Sequence, residues 1–157
     1  KSVELGVCDI VPVQCERSVV QLRVKEKSGK MSRWKKIAQE AARQSGRGKT
    51  PAIHSPSSFT HAISCAKDEF DLVLFPWENA TELYLPDILD EWSQRAVTQE
   101  CPKIAVFVGP EGGFSEEEAD RAKKFGANIV SLGRRILRTE TAGPAILAML
   151  LYRLDLM

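Results

Sequence analysis

Two glycine-containing loops in the last third of the chain carry the residue types best suited to holding a ligand. Residues 109–114 read GPEGGF, and residues 132–142 read LGRRILRTETA. Each loop follows a short apolar run and precedes a helix-like pattern. Loops in this arrangement, at the carboxyl ends of parallel strands, form the usual ligand crevice of an open α/β sheet. The pair therefore predicts one shared binding site.

The loop at residues 109–114 lacks the signature of a diphosphate site. Glycines let a ligand approach the backbone closely, but the spacing is not Gly-x-Gly-x-x-Gly, and no Gly-Lys-Ser/Thr follows. Glu111 and the acidic run at 116–118 would repel a diphosphate at the following helix terminus. We therefore expect a ligand that is neutral or positively charged near this loop. A plain tight turn is the alternative.

The loop at residues 132–142 combines charge with apolar side chains. Three arginines are interleaved with Ile136 and Leu137 before two threonines that could begin a helix. Apolar residues in a loop either enter the core or line an apolar ligand face such as a purine ring. The arginines could contact phosphate or be solvated at the surface. The residue types leave both pairs of alternatives open.

The elements that would position these loops alternate between strands and helices. We predict a parallel α/β sheet of about five or six strands flanked by helices. A polar loop is expected at 18–30, and a capping box, Ser115 with Glu118, marks the start of the fourth helix. The predicted strands are 9–13, 51–54, 70–75, 103–108 and 127–132, and the helices are 33–45 capped by Ser32, 57–67, 82–98, 116–125, and from Thr139 or Thr141 to 154.

The overall composition limits the class of protein. The 157 residues are enough for one domain with its own core. The net charge of +1 is uneven: twelve basic against five acidic residues in 1–50 give +7, and ten against sixteen in 51–157 give −6. The basic part suggests an anionic partner such as a nucleic acid, and ordinary charge scatter on a solvated surface is an equal alternative. The four cysteines form no Cys-x-x-Cys pair, so we expect reduced thiols and no metal site. The apolar run at 145–152 is far shorter than the ~20 residues that span a membrane.

Four sequence motifs resemble one enzyme family. They are GPEGGFSEEE at 109–118, LGRRILRTETA at 132–142, VELGV at 3–7 and EAARQSGR at 40–47. Together they resemble the small-subunit ribosomal RNA uridine-N3 methyltransferase family of the SPOUT class. The resemblance implies a SPOUT-type parallel sheet flanked by helices, with a C-terminal trefoil knot, and a homodimer formed through the last helix. Knots are almost absent from proteins, so general rules of topology would not propose one.

The same resemblance implies S-adenosyl-L-methionine as the cofactor. The backbone of Leu132, Gly133, Ile136 and Leu137 would hold the adenine, and Gly109 and Gly113 would lie near the ribose and methionine parts. This agrees with the apolar second loop and the acidic surroundings inferred from the residues. The complete set of implied cofactor-binding residues is Leu74, Gly109, Pro110, Glu111, Gly113, Leu132, Gly133, Ile136, Leu137, Thr139 and Thr141.

The implied reaction is methyl transfer to N3 of a uridine in small-subunit ribosomal RNA. The N3 proton must leave, so the site needs to stabilise negative charge, which an arginine does without titrating. Arg138 is the first candidate, and Glu140 is a candidate general base, although a glutamate at a helix start more often interacts with the helix dipole. The residues expected to contact RNA are Arg43, Arg47 and Arg135.

Family members carry an N-terminal, PUA-like RNA-binding domain ahead of the ELGV motif, and these 157 residues do not include one. We therefore expect residues 1–157 to be the catalytic domain alone, acting in the cytoplasm or an organelle stroma. Three alternatives remain. They are a non-catalytic RNA-binding or ribosome-assembly module of the same fold, a SPOUT methyltransferase acting on transfer RNA, and a flavodoxin-like nucleotide binder.

Overall fold

The computed structural model describes residues 1–19, 27–96 and 102–154, in which strands and helices alternate. The strands in this part of the chain are β1 (Asp9–Ile10), β2 (Val13–Gln14), β3 (Ala52–Ile53), β4 (Ser57–Ser58), β5 (Leu72–Pro76), β6 (Ile104–Val106) and β7 (Asn128–Val130). The helices are α1 (Lys27–Gln44), α2 (Phe59–Glu69), α3 (Leu85–Ala96), α4 (Glu116–Lys124) and α5 (Thr139–Arg153).

Every paired strand among the described residues runs parallel to its neighbour. β1 pairs with β3, β2 pairs with β4, and a three-stranded sheet has the order β6-β5-β7. The predicted α/β class with parallel strands is confirmed. The predicted single sheet of five or six strands is wrong, because the ladder divides into three short sheets. Pro12, which has no amide to donate, separates β1 from β2 where one strand was predicted.

The central strand β5 is buried on both faces, as its continuous apolar sequence predicts. Leu72 and Leu74 pack in one cluster with residues of α3 and α5. Val73 and Phe75 pack in a second cluster with residues of α2 and α4. Each fully buried side chain of this size contributes roughly 1.5–3 kcal/mol relative to exposure. The strand is therefore a rigid base for whatever follows it.

The helix boundaries agree with the sequence where local signals are strong. The capping box of α4 is complete, with Ser115 and Glu118 exchanging hydrogen bonds. The predicted cap at Ser32 is wrong, since α1 already begins at Lys27 and its lysine-rich first turns tolerate a helical backbone. Residues 20–26 of the predicted polar loop and 97–98 of the predicted third helix lie outside the described residues.

Helix α5 buries one side of its apolar surface against other described residues. Ile146 and Leu150 are buried against α3, whereas Met149 and Tyr152 are 43% and 80% exposed. Packing among the described residues therefore covers the side of α5 that carries Ile146 and Leu150 and leaves the side with Met149 and Tyr152 open. In the described ranges, no helix is both long enough and apolar enough to cross a membrane.

Candidate functional site

Three loops leave the same edge of the β6-β5-β7 sheet. Leu74 of β5 pairs with Val106 of β6, and Pro76 of β5 pairs with Val130 of β7, so the parallel strands end side by side. The segments that follow them, 77–84, 107–115 and 131–138, therefore share one edge. This is the position at which open α/β sheets bind ligands.

A direct contact joins the two loops singled out in the sequence. The hydroxyl of Thr139 donates a hydrogen bond of 3.0 Å to the carbonyl oxygen of Gly109. Thr139 is the first residue of α5, and Arg138 occupies the N-cap position without a side-chain hydrogen bond. The prediction that Thr139 or Thr141 caps this helix is therefore wrong, because the Thr139 hydroxyl bonds across the site. The predicted proximity of the two loops is confirmed.

Backbone conformation and close contacts favour glycine in the loop at 109–114. Gly113 has φ +70°, and a Cβ there would overlap Oε1 of Glu78 and lie 3.1 Å from its Cδ. A Cβ at Gly109 would lie 3.2 Å from the ring of Phe114. That ring stacks on Phe75 at a centroid distance of 4.1 Å, which ties the loop to the core. The amide of Gly113 donates to the carbonyl of Pro110 at 2.9 Å, so the loop contains a tight turn, and these contacts fix that turn at the edge of the sheet.

The buried carboxylate of Glu118 ties the N-terminal segment to this loop. Its Oε2 accepts from the amide of Ser115 at 3.0 Å, and its Oε1 accepts from the amide of Glu16 at 2.9 Å. Next to it, Arg17 Nη1 donates to the carbonyl of Gly112 at 3.4 Å, and a Cβ on Gly112 would lie 3.1 Å from Cβ of Arg17. The sequence identified Glu118 only as half of a capping box, and Arg17 carried no local signal.

The environment of Glu118 also changes the chemistry of Cys15. The thiol is buried in the same core cluster as Val73 and Phe75. Burial, reinforced by the negative charge of Glu118, raises the pKa of Cys15 from 9.0 to about 12. The thiol is therefore protonated at neutral pH and is a poor nucleophile.

The second loop is open to solvent. Gly133 has φ +108°, and an added Cβ would meet nothing within 4 Å. Ile136 is 83% exposed, Leu137 is half-buried, and Leu132 packs against the cluster beneath the sheet. Large exposed apolar side chains beside an open backbone are consistent with a surface that covers an apolar ligand face.

The predicted catalytic pair lies at the start of α5. Arg138 and Glu140 are exposed, and Nη1 of the arginine is 4.0 Å from Oε1 of the glutamate. Such an exposed pair contributes little to stability, so both groups are free to reorient toward a substrate. Arg135 is exposed in the same loop.

Most of the predicted cofactor residues lie in or beside these loops. Gly109, Pro110, Glu111 and Gly113 form the first loop, and Thr141 is exposed in the first turn of α5. Leu74 has 0% exposure at the centre of the sheet, away from the open loops, and its contact with the cofactor stays a prediction.

The predicted RNA contacts Arg43 and Arg47 lie elsewhere, at the C-terminal end of α1, which packs on β3. Arg43 is exposed and pairs with Glu40 at 2.6 Å. The guanidinium of Arg47 donates to the carbonyls of Val3, Gly6 and Val7. It therefore closes the N-terminal turn, and only its remaining donors are available for RNA.

The fold is that of a parallel α/β protein, and its candidate ligand site lies at the loops after three adjacent strands. A sequence model of the RNA methyltransferase domain family matches residues 1–151. The chain belongs to this family, and the resemblance drawn from the motifs is confirmed at that level.

Relatives of known name span the whole chain. Ribosomal RNA small subunit methyltransferase E of Bacillus subtilis (strain 168) is 35% identical over 160 residues, which cover 100% of this chain and 60% of the relative. A Legionella pneumophila protein solved with the cofactor SAM bound matches with TM-score 0.82 and 31% identity, over 96% of this chain and 57% of that one. Ribosomal RNA small subunit methyltransferase E from Neisseria gonorrhoeae, bound to S-adenosyl methionine, matches with TM-score 0.79 and 33% identity, over 96% and 57%. This chain thus spans about 60% of the length of these three relatives.

Proposed function

We propose that this domain binds S-adenosyl-L-methionine and methylates N3 of a uridine in small-subunit ribosomal RNA. The observation that carries the proposal is the Thr139–Gly109 hydrogen bond, which joins the two glycine-containing loops at the carboxyl edge of the sheet. The names of the relatives support the ribosomal RNA substrate, and the two solved relatives that hold S-adenosylmethionine support the cofactor.

The loop geometry fits such a ligand. The backbone around Gly133 is unobstructed, and Ile136 is exposed beside it, which suits the flat apolar face of an adenine. Because Gly109 and Gly113 have no side chains, a ligand could approach the backbone of the first loop at these two positions. The loop has no basic side chain to bind a diphosphate but contains Glu111, which is compatible with a sulfonium cation. The contacts proposed for Pro110, Leu132, Leu137, Thr139 and Thr141 lie on the same loops.

Arg138 has the chemical properties that the reaction requires. When bound, S-adenosylmethionine supplies the methyl group from its sulfonium, and the bonding electrons of the broken C–S bond remain on sulfur. The new bond forms at N3 of the uracil, whose proton must leave. The guanidinium of Arg138 would stabilise the negative charge that develops over N3 and its flanking carbonyls. Glu140, 4.0 Å away, would accept the proton or orient the arginine.

The remaining parts of the proposal concern the substrate and the assembly. The exposed side chains of Arg43 and Arg135, together with the remaining donors of Arg47, would contact the RNA backbone. The exposed apolar side of α5, which includes Met149 and Tyr152, would form the interface of a homodimer. We also propose that the C-terminal loops form a trefoil knot and that the protein acts in the cytoplasm or an organelle stroma. The RNA-binding domain of the whole protein would be separate from these residues.

Calorimetric titration with S-adenosylmethionine tests the proposal directly. We expect one binding site per chain, and no measurable heat together with no thermal shift would refute the methyltransferase function and favour a non-catalytic RNA-binding module. In the full-length protein, Arg138→Ala should abolish methylation of uridine, read by mass spectrometry of ribosomal RNA, while cofactor affinity is retained. Unchanged methylation would remove Arg138 from the mechanism, and methylated transfer RNA alone would change the substrate.

A further inference from the structure

The side chain of Glu78 lies at the edge of the sheet where the ligand crevice forms. It belongs to the segment that follows β5, two residues beyond Pro76. Its carboxyl group occupies the space beside Gly113 into which any other residue type would project a Cβ. The contact joins the loop after β5 to the loop after β6, just as Thr139 joins the loop after β7 to Gly109. Glu78 is thus in contact with the loop at 109–114.

The charge of this carboxylate has no counter-ion in the described part of the chain. Glu78 is exposed and takes part in no ion pair or hydrogen bond there. By contrast, Glu82 in the same segment pairs with Lys123 at 3.7 Å, and Glu118 accepts two backbone amides. Holding a carboxylate against the Gly113 backbone without a cation leaves its charge available to a ligand.

We propose that Glu78 recognises the positively charged methionine end of the cofactor, an inference that rests on the proposed function. That end of S-adenosylmethionine has two cationic groups, the sulfonium and the α-ammonium, and a carboxylate would attract either. The ammonium would donate charge-assisted hydrogen bonds, whereas the sulfonium would interact through charge alone. Gly113 gives both groups access to the carboxylate, since its lack of a side chain keeps the loop from covering Glu78.

The experiment compares Glu78→Gln with a control, Glu82→Gln, by calorimetry on the 157-residue chain. Both substitutions remove one negative charge from an exposed side chain of the same segment, but Glu82 contacts Lys123 on the outer surface rather than the loop at 109–114. We expect Glu78→Gln to raise the Kd for S-adenosylmethionine by about tenfold or more, the effect of losing one charged hydrogen bond. Glu82→Gln should leave the Kd within about twofold, and Glu78→Asp, which keeps the charge, should give an intermediate value.

Titration with S-adenosylhomocysteine, which keeps the ammonium but lacks the sulfonium charge, identifies the cation. Equal losses for both ligands assign Glu78 to the ammonium, and a loss confined to S-adenosylmethionine assigns it to the sulfonium. A Kd for Glu78→Gln within twofold of wild type, or an equal loss in Glu82→Gln, overturns the inference while the proposed function stands. Absence of binding to the wild-type chain overturns both. Urea unfolding of each variant, expected to match wild type, shows that the fold is intact.

Discussion

The stability of the site should depend on one buried carboxylate, that of Glu118. Replacing it by glutamine keeps the size of the side chain but removes its charge. Only one of the two terminal atoms of glutamine is an acceptor, so either the amide of Ser115 or that of Glu16 would face an NH2 group. One charge-assisted hydrogen bond is lost, and one amide, either the buried one of Ser115 or the partly buried one of Glu16, loses its acceptor.

The expected cost follows from these contacts. Hydrogen bonds to charged groups contribute about 1.5–3 kcal/mol each, and Glu118 is only 7% exposed, so solvent cannot replace the lost partner. Glu118→Gln should therefore lower the free energy of unfolding by about 2 kcal/mol, or Tm by roughly 4–8 °C for a domain of this size. Glu118→Ala, which removes both acceptors, should cost about twice as much.

The assay is urea unfolding followed by circular dichroism, with Glu117→Gln as the control. Glu117 precedes Glu118 in the same helical turn and is exposed, so its substitution changes the same charge at the same helix end. We expect it to change stability by no more than about 0.5 kcal/mol. If the two glutamine variants have the same stability, the contact with Glu16 contributes nothing and our account of the N-terminal segment is wrong.

Two other predictions concern the same region. Because the pKa of Cys15 is raised from 9.0 to about 12 in the folded state, the unfolded chain ionises first, and stability should fall between pH 9 and 12. The difference between wild type and Cys15→Ala in urea should change by roughly 1.4 kcal/mol per pH unit in this window, and a flat difference would contradict the assignment. Thr139→Val should lower the free energy of unfolding by about 1 kcal/mol and speed hydrogen exchange at the Gly113 amide. Thr139→Ser keeps the hydroxyl and should leave both the stability and the exchange rate unchanged. Equal behaviour of the two variants would show that the hydroxyl does not join the loops.

Features encoded by neighbouring residues could be predicted from the sequence. The apolar run of β5 indicated a central strand, and the Ser115–Glu118 spacing indicated a capping box, because each depends on residues within one element. The same holds for the loops at 109–114 and 132–142, whose glycines follow apolar runs. In these cases the structure that the local residues favour is also the one that the folded protein adopts, so the short segment is enough to predict it.

The rest depended on partners distant in the sequence. β4 consists of two serines and forms because β2 offers an edge, so no apolar pattern marks it. Thr139 looks like a helix cap, and only the position of Gly109 shows that its hydroxyl bonds elsewhere. Glu118 forms the predicted capping box with Ser115, but its carboxylate also accepts from the amide of Glu16, 102 residues earlier. Glu78 carries no motif, and its position became evident only through the space beside Gly113.

These distant contacts explain how three irregular loops can form a defined site. A loop at a sheet edge has few backbone partners of its own and would otherwise be mobile. Here the first loop is fixed on three sides: Phe114 stacks on Phe75, Thr139 bonds to Gly109, and Glu118 joins the loop's last residues to Glu16. Such anchoring lowers the ordering cost of ligand binding, since the backbone is positioned beforehand. Among the described residues, the open backbone at Gly133 has one comparable anchor, the Ser131 hydroxyl that accepts from its amide. Ligand binding should therefore order the loop most at this end, which is the proposed adenine end.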